Sequence, residues 1–322
     1  VTNLPMIRVA LDAMGGDLGP RIAFEGALQV LSQHDDVEIV LYYSPSSSSD
    51  FELPPLCDRL SLVICRDVID VDEEIVLSLF RRYESTLYRA LKSLSVNAAD
   101  VVVTLGNTGA MVALARHILG VIRPKLYPAL IRELHSNPLR CLVDLGANVH
   151  CPPSMLEGFA ELGAAYVEAL SDEKPKVGLL NVGVESSKGS SVIRETDALL
   201  AAKSWPDYLG YAEGTELFHG EKNVIVCDGM VGNAVLKASE GLLSYLVGQL
   251  KAQGGDESLF ETFYQTKHRH GACLVGVNGN LVKGHGRSDF QAMVGAIEYG
   301  IDIARVDLST VVRERLDNEE FK

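Results

Sequence analysis

The chain has 322 residues, enough for one large domain or two joined domains with a sizeable apolar core. Hydrophobic residues make up 47% and charged residues 22%, as in an ordinary soluble globular protein, and no uncharged apolar stretch is long enough to predict a membrane-spanning helix. The formal net charge of −14 argues against a nucleic-acid partner, because such partners favour a basic surface.

The cysteines and the first residues indicate the compartment. The six cysteines are scattered without a CxxC pair, which is typical of reduced, buried thiols. The opening VTNLPMIRVA lacks the basic start and long apolar centre of a signal peptide. We therefore expect a cytoplasmic protein. An anionic partner would need a local basic patch, for which the candidates are Arg81 with Arg82, Arg123 with Lys125, and Lys267 with Arg269.

Apolar, β-branched runs alternate with helical patterns along the chain. Strand-like runs lie near 6–12, 37–43, 61–65, 100–105, 140–145, 176–181, 223–227 and 273–283. Helical patterns lie near 20–33, 74–95, 108–120, 153–170, 191–203, 231–252, 257–266 and 289–302. This alternation predicts right-handed βαβ units and hence an α/β fold, with a mainly parallel sheet flanked by helices. We predict a single α/β unit over residues 1–322.

Residues 239–266 differ from this pattern and predict a protruding helical hairpin. Two apolar stripes at helical spacing are separated by a Gly-Gly-Asp turn. The stripes are Leu242, Leu243, Leu246, Val247 and Leu250, then Leu259, Phe260, Phe263 and Tyr264. Two interpretations stay open: the hairpin packs against the body or a sister subunit, or its apolar tip contacts acyl chains or a membrane surface.

Six of the apolar runs end on clusters of Gly, Asn and Asp. The clusters are LDAMGGD (11–17), TLGNTGA (104–110), LVDLGAN (142–148), LLNVGVESSKG (179–189), VCDGMVGN (226–233) and GHGRSD (284–289). Loops at the carboxyl ends of parallel strands line the ligand crevice of an open α/β sheet. Because these loops hold few bulky side chains, the sequence predicts a polar cleft in which the ligand contacts backbone groups.

The first two loops have the composition of anion sites at helix N-termini. Glycines allow the backbone to approach a ligand, and the first turn of a helix offers N–H groups to an anion. The candidate binding residues are Asp12, Gly15, Gly16, Asp17, Asn107 and Thr108. The alternative is that Asp17 and Thr108 serve only as helix caps.

The third and fourth loops offer an amide and a cation. Asn148 suits a donor to an oxyanion, although Asp144 and Asn148 could simply fix the turn. Lys188 lies in a Ser/Gly loop just before a helix, which is typical of a point-charge phosphate ligand. The alternative for Lys188 is a solvated loop lysine.

The last two loops contain groups that could handle protons. Asp228 is a candidate polar anchor or proton handler at a strand end, and Asn233 and Lys237 follow it. His285 lies between two glycines, where it could donate a hydrogen bond, act as an acid or only satisfy the loop backbone. A further alternative is a metal site, for which several carboxylates would have to converge. Those available are Asp12, Asp17, Asp144 and Asp228.

Taken together and in this order, the loops resemble the PlsX family of bacterial phosphate:acyl-ACP acyltransferases. The matching strings, over about residues 6–305, are LDAMGGD, GNTGA, DLGAN, GLLNVGVESSKG, CDGMVGNAVLKASEG and GVNGNLVKGHGRSD. The resemblance implies a fold similar to phosphotransacetylases and isocitrate dehydrogenases, a homodimer and peripheral membrane association. It implies transfer of a fatty acyl group from acyl carrier protein to inorganic phosphate, giving acyl phosphate for phospholipid synthesis.

The chain departs from the family's pattern at three places. Thr104 and Leu105 stand where the family commonly has Ser-Ala, and Tyr43-Ser44 stands where relatives often have Gly-Asp. In FRRYEST (80–86), Tyr83 and Glu84 replace lysine-type residues. A role of this last loop in binding phosphate or carrier protein is therefore expected only for its two arginines.

The implied reaction assigns roles without a cofactor, a metal or a Ser or Cys nucleophile. Lys188 would bind phosphate, and Asn148, Asn233 or His285 would stabilise the tetrahedral oxygen or assist the leaving thiolate. The residues expected to carry catalysis are Lys188, Asp228, Asn233 and His285, with Lys237 among the binding residues. Three other functions stay open: a phosphotransacetylase-type enzyme acting on a small acyl-CoA, a metal- and nucleotide-dependent oxidative decarboxylase, and a non-catalytic scaffold for acyl-ACP or membrane.

Overall fold

A computed structural model describes residues 5–45, 57–136, 138–203, 205, 207–255 and 270–317. The chain forms two compact units. The first unit comprises Val1–Pro128 and His268–Arg313, and the second comprises Ala129–Lys267 and Glu314–Lys322. The single α/β unit over 1–322 stays a prediction.

The elements alternate along the chain as expected for an α/β fold. The strands are β1 (Ile7–Asp12), β2 (Val37–Tyr43), β3 (Leu60–Ile64), β4 (Val101–Thr104), β5 (Ala129–Ser136), β6 (Leu139–Val143), β7 (Val177–Leu180), β8 (Tyr208–Ala212), β9 (Val224–Val226), β10 (Ala272–Val275) and β11 (Asn280–Lys283). The helices are α1 (Pro20–Gln33), α2 (Thr86–Ser95), α3 (Thr108–Ile118), α4 (Pro153–Leu170), α5 (Ser191–Ala202), α6 (Gly229–Ala252), α7 (Phe290–Arg305) and α8 (Leu308–Asp317). Short 3₁₀ turns lie at Leu77–Arg81 and Gly214–Leu217.

In the first unit the strand order is β3-β2-β1-β4-β11-β10. Neighbouring strands pair in parallel, except that β10 and β11 form an antiparallel pair. All four residues of β4 and every residue of β1 except Arg8 are buried. Parallel strands covered by helices on both faces are apolar throughout, which explains the continuous apolar runs in the sequence.

In the second unit the strand order is β5-β6-β9-β7-β8. Strands β6, β9, β7 and β8 are parallel, and β5 is antiparallel to β6. Helix α4 lies tightly against this sheet, because a Cβ atom at Gly163 would lie only 2.4 Å from Cγ1 of Val224. The mainly parallel sheet flanked by helices is therefore confirmed in both units.

The predicted helix over 74–95 is wrong in its first half. Helix α2 begins at Thr86, with the hydroxyl of Ser85 accepting a hydrogen bond from the backbone N–H of Tyr88 at 3.3 Å. The preceding residues form only the short 3₁₀ turn at Leu77–Arg81, and the guanidinium of Arg82 just after it binds the carboxylates of Asp67 and Glu73. The ion pairs between Arg82 and residues before the predicted helix therefore outweigh the helical periodicity of this segment.

Further differences concern several strands and one helix. The predicted strand over 273–283 is the β10–β11 pair, with Gly276 at a positive φ of 103° in the turn between them. Strands β5 and β8 and helix α8 were not expected from the sequence. Charged residues in β5 and Gly210 in the middle of β8 interrupt the strand pattern in their sequences.

The first helix of the predicted hairpin is present, and it begins before the segment assigned to the hairpin. Helix α6 extends over 24 residues, of which only Gly229 and Gly232 are buried. Leu242 and Leu246 on its predicted apolar stripe are 60% and 42% exposed. The second helix of the hairpin, near 257–266, lies outside the described residues. None of the described helices combines the length and apolar character needed to cross a bilayer.

Candidate active site

Three of the six polar loops meet within the first unit. The strand register places Asp12, Thr104 and Lys283 side by side at the ends of β1, β4 and β11. The backbone N–H of Asp17 donates to the carbonyl oxygen of Gly286 at 2.8 Å. A Cβ atom at Gly15 would lie 2.3 Å from the backbone nitrogen of Gly106, so only glycine allows these two loops to approach this closely.

The carboxylate of Asp12 holds two of these loops together. Its Oδ2 accepts a hydrogen bond from the hydroxyl of Thr104 at 2.8 Å, and its Oδ1 accepts one from the backbone N–H of Met14 at 3.3 Å. The Thr104 hydroxyl in turn accepts from the backbone N–H of Gly106 at 3.0 Å. Burial raises the pKa of Asp12, while hydrogen bonds from Thr104 and Thr86 oppose the increase. Asp12 is 3% exposed and therefore holds these loops in place from the protein interior.

Lys283, which is not among the residues predicted from the sequence, brings a cation into this cluster. Its Nζ donates to the carbonyl oxygen of Leu105 at 3.1 Å and to that of Gly284. Its positive charge also counters the increase in the pKa of Asp12. In the sequence, the signal for Lys283 is a lysine at the end of a short strand, two residues before the glycine-flanked His285.

Asn107 is a helix cap that also anchors a neighbouring segment. Its Oδ1 accepts a hydrogen bond from the backbone N–H of Ala110 at 3.0 Å, which caps α3. Its Nδ2 donates to the carbonyl oxygens of Val71 and Glu73 at 2.9 and 3.0 Å. The amide expected to bind a ligand is therefore committed to the protein. Thr108 is the first residue of α3 and is half-buried.

His285 and Asp17 lie at the exposed surface of this cluster. Nδ1 of His285 accepts a hydrogen bond from the backbone N–H of Arg287 at 3.1 Å, so the ring does satisfy its own loop. In a neutral ring this leaves the proton on Nε2. The suggested capping role of Asp17 is wrong, because the N-cap of α1 is Gly19 without a side-chain hydrogen bond. Asp17 instead lies 3.9 Å from the exposed guanidinium of Arg287.

In the second unit, Asp144 organises the loop that follows β6. Its carboxylate is fully buried and accepts hydrogen bonds from the backbone N–H groups of Leu130 at 2.8 Å and Leu145 at 2.7 Å. It also accepts from the backbone and side-chain amides of Asn148 at 2.7 and 3.1 Å. Burial raises the pKa of Asp144, and these hydrogen bonds oppose the increase. Asp144 and Asn148 therefore fix this turn, as the alternative interpretation proposed.

The N-terminus of α6 packs directly on this loop. Asp228 is its N-cap, with Oδ1 accepting from the backbone N–H of Val231 at 2.8 Å. The backbone N–H of Gly229 donates to the carbonyl oxygen of Asn148 at 2.8 Å. A Cβ atom at Gly232 would lie 1.9 Å from the carbonyl oxygen of Asp144, which no side chain could tolerate.

Asn233 and Lys237 are exposed on the first turns of α6. Their spacing of four residues places them on the same helix face. A Cβ atom at Gly146 would lie 3.8 Å from Cβ of Asn233, so this face adjoins the loop after β6. An amide and an ammonium group are therefore presented together beside the loop that Asp144 holds.

Lys188 lies in the loop between β7 and α5. Its backbone N–H donates to the carbonyl oxygen of Glu185 at 2.9 Å, and Asn181 supports the loop by donating to the carbonyl oxygen of Gly183 at 3.0 Å. Since β7 pairs with β9, the loop begins beside the strand that leads to Asp228. The side chain of Lys188 is exposed, and within the described part of the chain its ammonium group has no ion-pair partner.

The polar loops thus fall into two sets of three. The first unit contains Asp12, Gly15, Gly16, Asp17, Asn107, Thr108 and His285, and the second contains Asn148, Lys188, Asp228, Asn233 and Lys237. A single cleft formed by all six loops stays a prediction. Among the residues with described positions, no three His, Cys, Asp or Glu side chains are grouped to hold a metal ion.

Solved structures show where this fold occurs. A phosphotransacetylase from Streptococcus pyogenes superposes with a TM-score of 0.60 at 12% identity, covering 93% of this chain and 94% of that chain. A branched-chain phosphotransacylase from Enterococcus faecalis superposes with a TM-score of 0.58 at 14% identity, covering 92% and 99%. At such low identity these similarities establish the fold alone, and they confirm the expected phosphotransacetylase-like architecture.

Sequence comparison identifies the family. A family model described as "Fatty acid synthesis protein" matches residues 7–311. The chain is 35% identical to a phosphate acyltransferase of Polaromonas sp., covering 97% of this chain and 90% of that protein. It is 36% identical to a phosphate acyltransferase of Delftia acidovorans, covering 97% and 94%. The chain therefore belongs to the PlsX family of phosphate acyltransferases, the family that its loops resemble.

Proposed function

We propose that this protein transfers a fatty acyl group from acyl carrier protein to inorganic phosphate, giving acyl phosphate for phospholipid synthesis. The observation that carries the proposal is the construction of α6. Its N-terminus presents Asn233 and Lys237 beside a loop held by a buried carboxylate, in a chain 35% identical to phosphate acyltransferases over nearly its whole length. These groups suit a small, doubly charged oxyanion.

Phosphate binding requires positive charge and hydrogen-bond donors in this proposal. Lys188 and Lys237 supply positive charge, Asn233 donates a hydrogen bond, and Asp228 keeps the first turn of α6 in place. Much phosphate is already dianionic near neutral pH, since the second pKa of a phosphoryl group is about 6. The nucleophile therefore needs orientation and charge compensation more than a strong base.

The carbonyl oxygen of the acyl thioester requires a hydrogen-bond donor during the transfer. His285 donates from Nε2 to the thioester oxygen, because its Nδ1 is occupied by the Arg287 backbone N–H. A phosphate oxygen attacks the thioester carbon, the tetrahedral oxyanion collapses, and the thiolate of the carrier leaves and takes up a proton. No covalent enzyme intermediate is formed, so neither a serine nor a cysteine nucleophile is needed.

The donor distinguishes this function from its alternatives. The protein would be incubated with labelled phosphate and either palmitoyl-ACP or acetyl-CoA, and acyl phosphate would be measured. We expect product from palmitoyl-ACP and far less from acetyl-CoA. Preference for acetyl-CoA would establish the phosphotransacetylase-type alternative. Carrier binding without product would indicate a scaffold, and NAD(P) reduction with Mg²⁺ would indicate a decarboxylase.

The exposed apolar face of α6 supports a further partner, either a sister subunit or a peripheral membrane contact. Leu242, Tyr245 and Leu246 are 60%, 63% and 42% exposed, and their spacing of i, i+3 and i+4 places them on one helix face. We expect Leu242→Glu/Leu246→Glu to abolish vesicle co-sedimentation of the protein or to convert a dimer into a monomer in analytical ultracentrifugation. A variant that matches the unaltered protein in both measurements would exclude this role for α6.

A further inference from the structure

Residues 66–85 of the first unit form a firmly anchored segment. Leu79 is completely buried, and Nε of Arg82 donates to Oδ2 of Asp67 at 2.6 Å. The same guanidinium donates to the carbonyl oxygen of Val68 at 2.6 Å and binds the carboxylate of Glu73. Ion pairs and one buried leucine therefore hold this irregular backbone in a defined conformation.

This anchored segment nevertheless exposes four aliphatic side chains. Val71, Ile75 and Val76 are 49%, 47% and 48% exposed, and Leu77 is 85% exposed. We call these four residues the apolar lip. Scattered apolar side chains are normal at protein surfaces, but a run of them on a fixed backbone indicates a contact site.

The apolar lip adjoins the loop set of the same unit. A Cβ atom at Gly109, in the first turn of α3, would lie 3.1 Å from Cγ1 of Ile75. Asn107 donates to the backbone of Val71 and Glu73, so the cap of α3 also fixes the start of the lip. A ligand whose polar end lies at the N-terminus of α3 would therefore place an apolar tail against these side chains.

We propose that the apolar lip binds the acyl chain of the donor thioester. This inference rests on the proposed acyl transfer, in which His285, in the same unit as the lip, donates a hydrogen bond to the thioester oxygen. Exposed Asp72 and Glu74 lie within the same segment, and their charge disfavours an anionic membrane surface as the occupant. An uncharged chain removes the aliphatic groups from water without approaching those carboxylates closely.

Binding of two inert donors tests the inference without turnover. The probes are butyl and dodecyl thioethers of pantetheine, which cannot transfer an acyl group, titrated by calorimetry into the unaltered protein and into Ile75→Ser/Leu77→Ser. We expect the unaltered protein to bind the dodecyl probe more tightly than the butyl probe, because each buried methylene favours binding. In the variant, the ratio of dodecyl to butyl affinity should fall by about tenfold or more. The matched control is Val96→Ser, which alters an exposed valine of the same unit outside the lip.

The outcomes separate this inference from the proposed function. An unchanged dodecyl-to-butyl ratio in the double variant would overturn the inference, as would a change only in sedimentation, which would assign the lip to contact with a second copy. Acyl-phosphate formation by the unaltered protein is measured separately with palmitoyl-ACP. Its failure together with a reduced dodecyl preference in the variant would reject the proposed reaction while retaining an apolar-chain site.

Discussion

At the residue scale, several candidate side chains hold the loops in position instead of facing a ligand. Asp144 accepts hydrogen bonds from Leu130, Leu145 and Asn148, and Asn107 caps α3 while anchoring the preceding segment. Exposed polar groups, such as those of Lys188 and Asn233, are accessible to a substrate. In the proposed function, the buried groups therefore preorganise the loops and the exposed groups bind the substrate.

Lys188 tests the assignment of the phosphate site. Lys188→Ala removes a charged hydrogen-bond donor worth about 1.5–3 kcal/mol, so we expect the apparent KM for phosphate to rise about tenfold or more. The KM for the acyl donor should change little. The control is Lys174→Ala, another exposed lysine of the second unit, located before β7. A phosphate titration identical to that of the unaltered protein would remove Lys188 from the site.

Asp12 gives a prediction for the pH dependence of stability. Burial raises its pKa in the folded state, so the folded protein binds the proton more tightly than the unfolded chain. Stability from this group is then present at low pH and is lost as pH rises from its ordinary pKa, about 3.9, through the raised value.

The neutral variant Asp12→Asn should lack this loss. We compare the free energies of unfolding of the variant and the unaltered protein. As pH rises from about 4 to about 8, we expect the variant to become more stable relative to the unaltered protein. The change should be about 1.4 kcal/mol for each unit by which the pKa of Asp12 differs between the folded and unfolded states. Urea unfolding at a series of pH values gives the comparison. A constant difference across the series would show that Asp12 is ionised with an ordinary pKa.

At the scale of elements, the sequence predicts best the strands that have the same apolar surroundings on both faces. Strands β1 and β4 are buried on both faces and therefore read as continuous apolar runs. Strand β5 was missed because it contains charged residues, one of which, Glu133, is buried and accepts a hydrogen bond from the hydroxyl of Tyr166 at 2.7 Å. Tyr166 lies 33 positions from Glu133 in the chain, so no local sequence pattern reveals this hydrogen bond.

In the candidate site, too, features encoded by neighbouring residues were predicted, whereas features that depend on contacts between distant residues were not. Glycine clusters at strand ends are local signals, and they correctly located the loops. Lys283 was missed because its significance comes from the pairing of β11 with β4, which places it beside Thr104. The alternative of capping by Asp17 was wrong because Gly19 occupies the N-cap position of α1, and no side chain caps this helix.

The packing of α6 on the loop after β6 gives a prediction at this scale. Gly232→Ala would place a methyl group 1.9 Å from the carbonyl oxygen of Asp144, so the helix or the loop must move. We expect a loss of about 2 kcal/mol or more in unfolding free energy, measured by urea denaturation. Gly241→Ala in the same helix is the matched control, since its Cβ atom would meet nothing within 4 Å.

The control should change stability in the opposite direction. Alanine is favoured over glycine in an exposed helix by about 0.5–1 kcal/mol, so Gly241→Ala should stabilise slightly. Equal effects of the two substitutions would mean that the N-terminus of α6 does not pack on the Asp144 loop as described.

At the scale of the whole molecule, the net charge of −14 restricts how an anionic partner can approach. Of the arginines in FRRYEST, Arg82 is engaged by Asp67 and Glu73, while Arg81 is exposed. Lys267 and Arg269 lie outside the described residues. Arg81 is therefore the better candidate in this motif for contact with an anionic partner, and such contact should weaken as salt screens it.

The central claim is tested most directly by the balance of the reaction with palmitoyl-ACP and labelled phosphate. We expect each carrier thiol released to be matched by one palmitoyl phosphate that contains the label. Release of the thiol with free palmitate and no labelled product, from the first turnover onward, would show hydrolysis instead of transfer to phosphate. That result would contradict the function proposed for this protein.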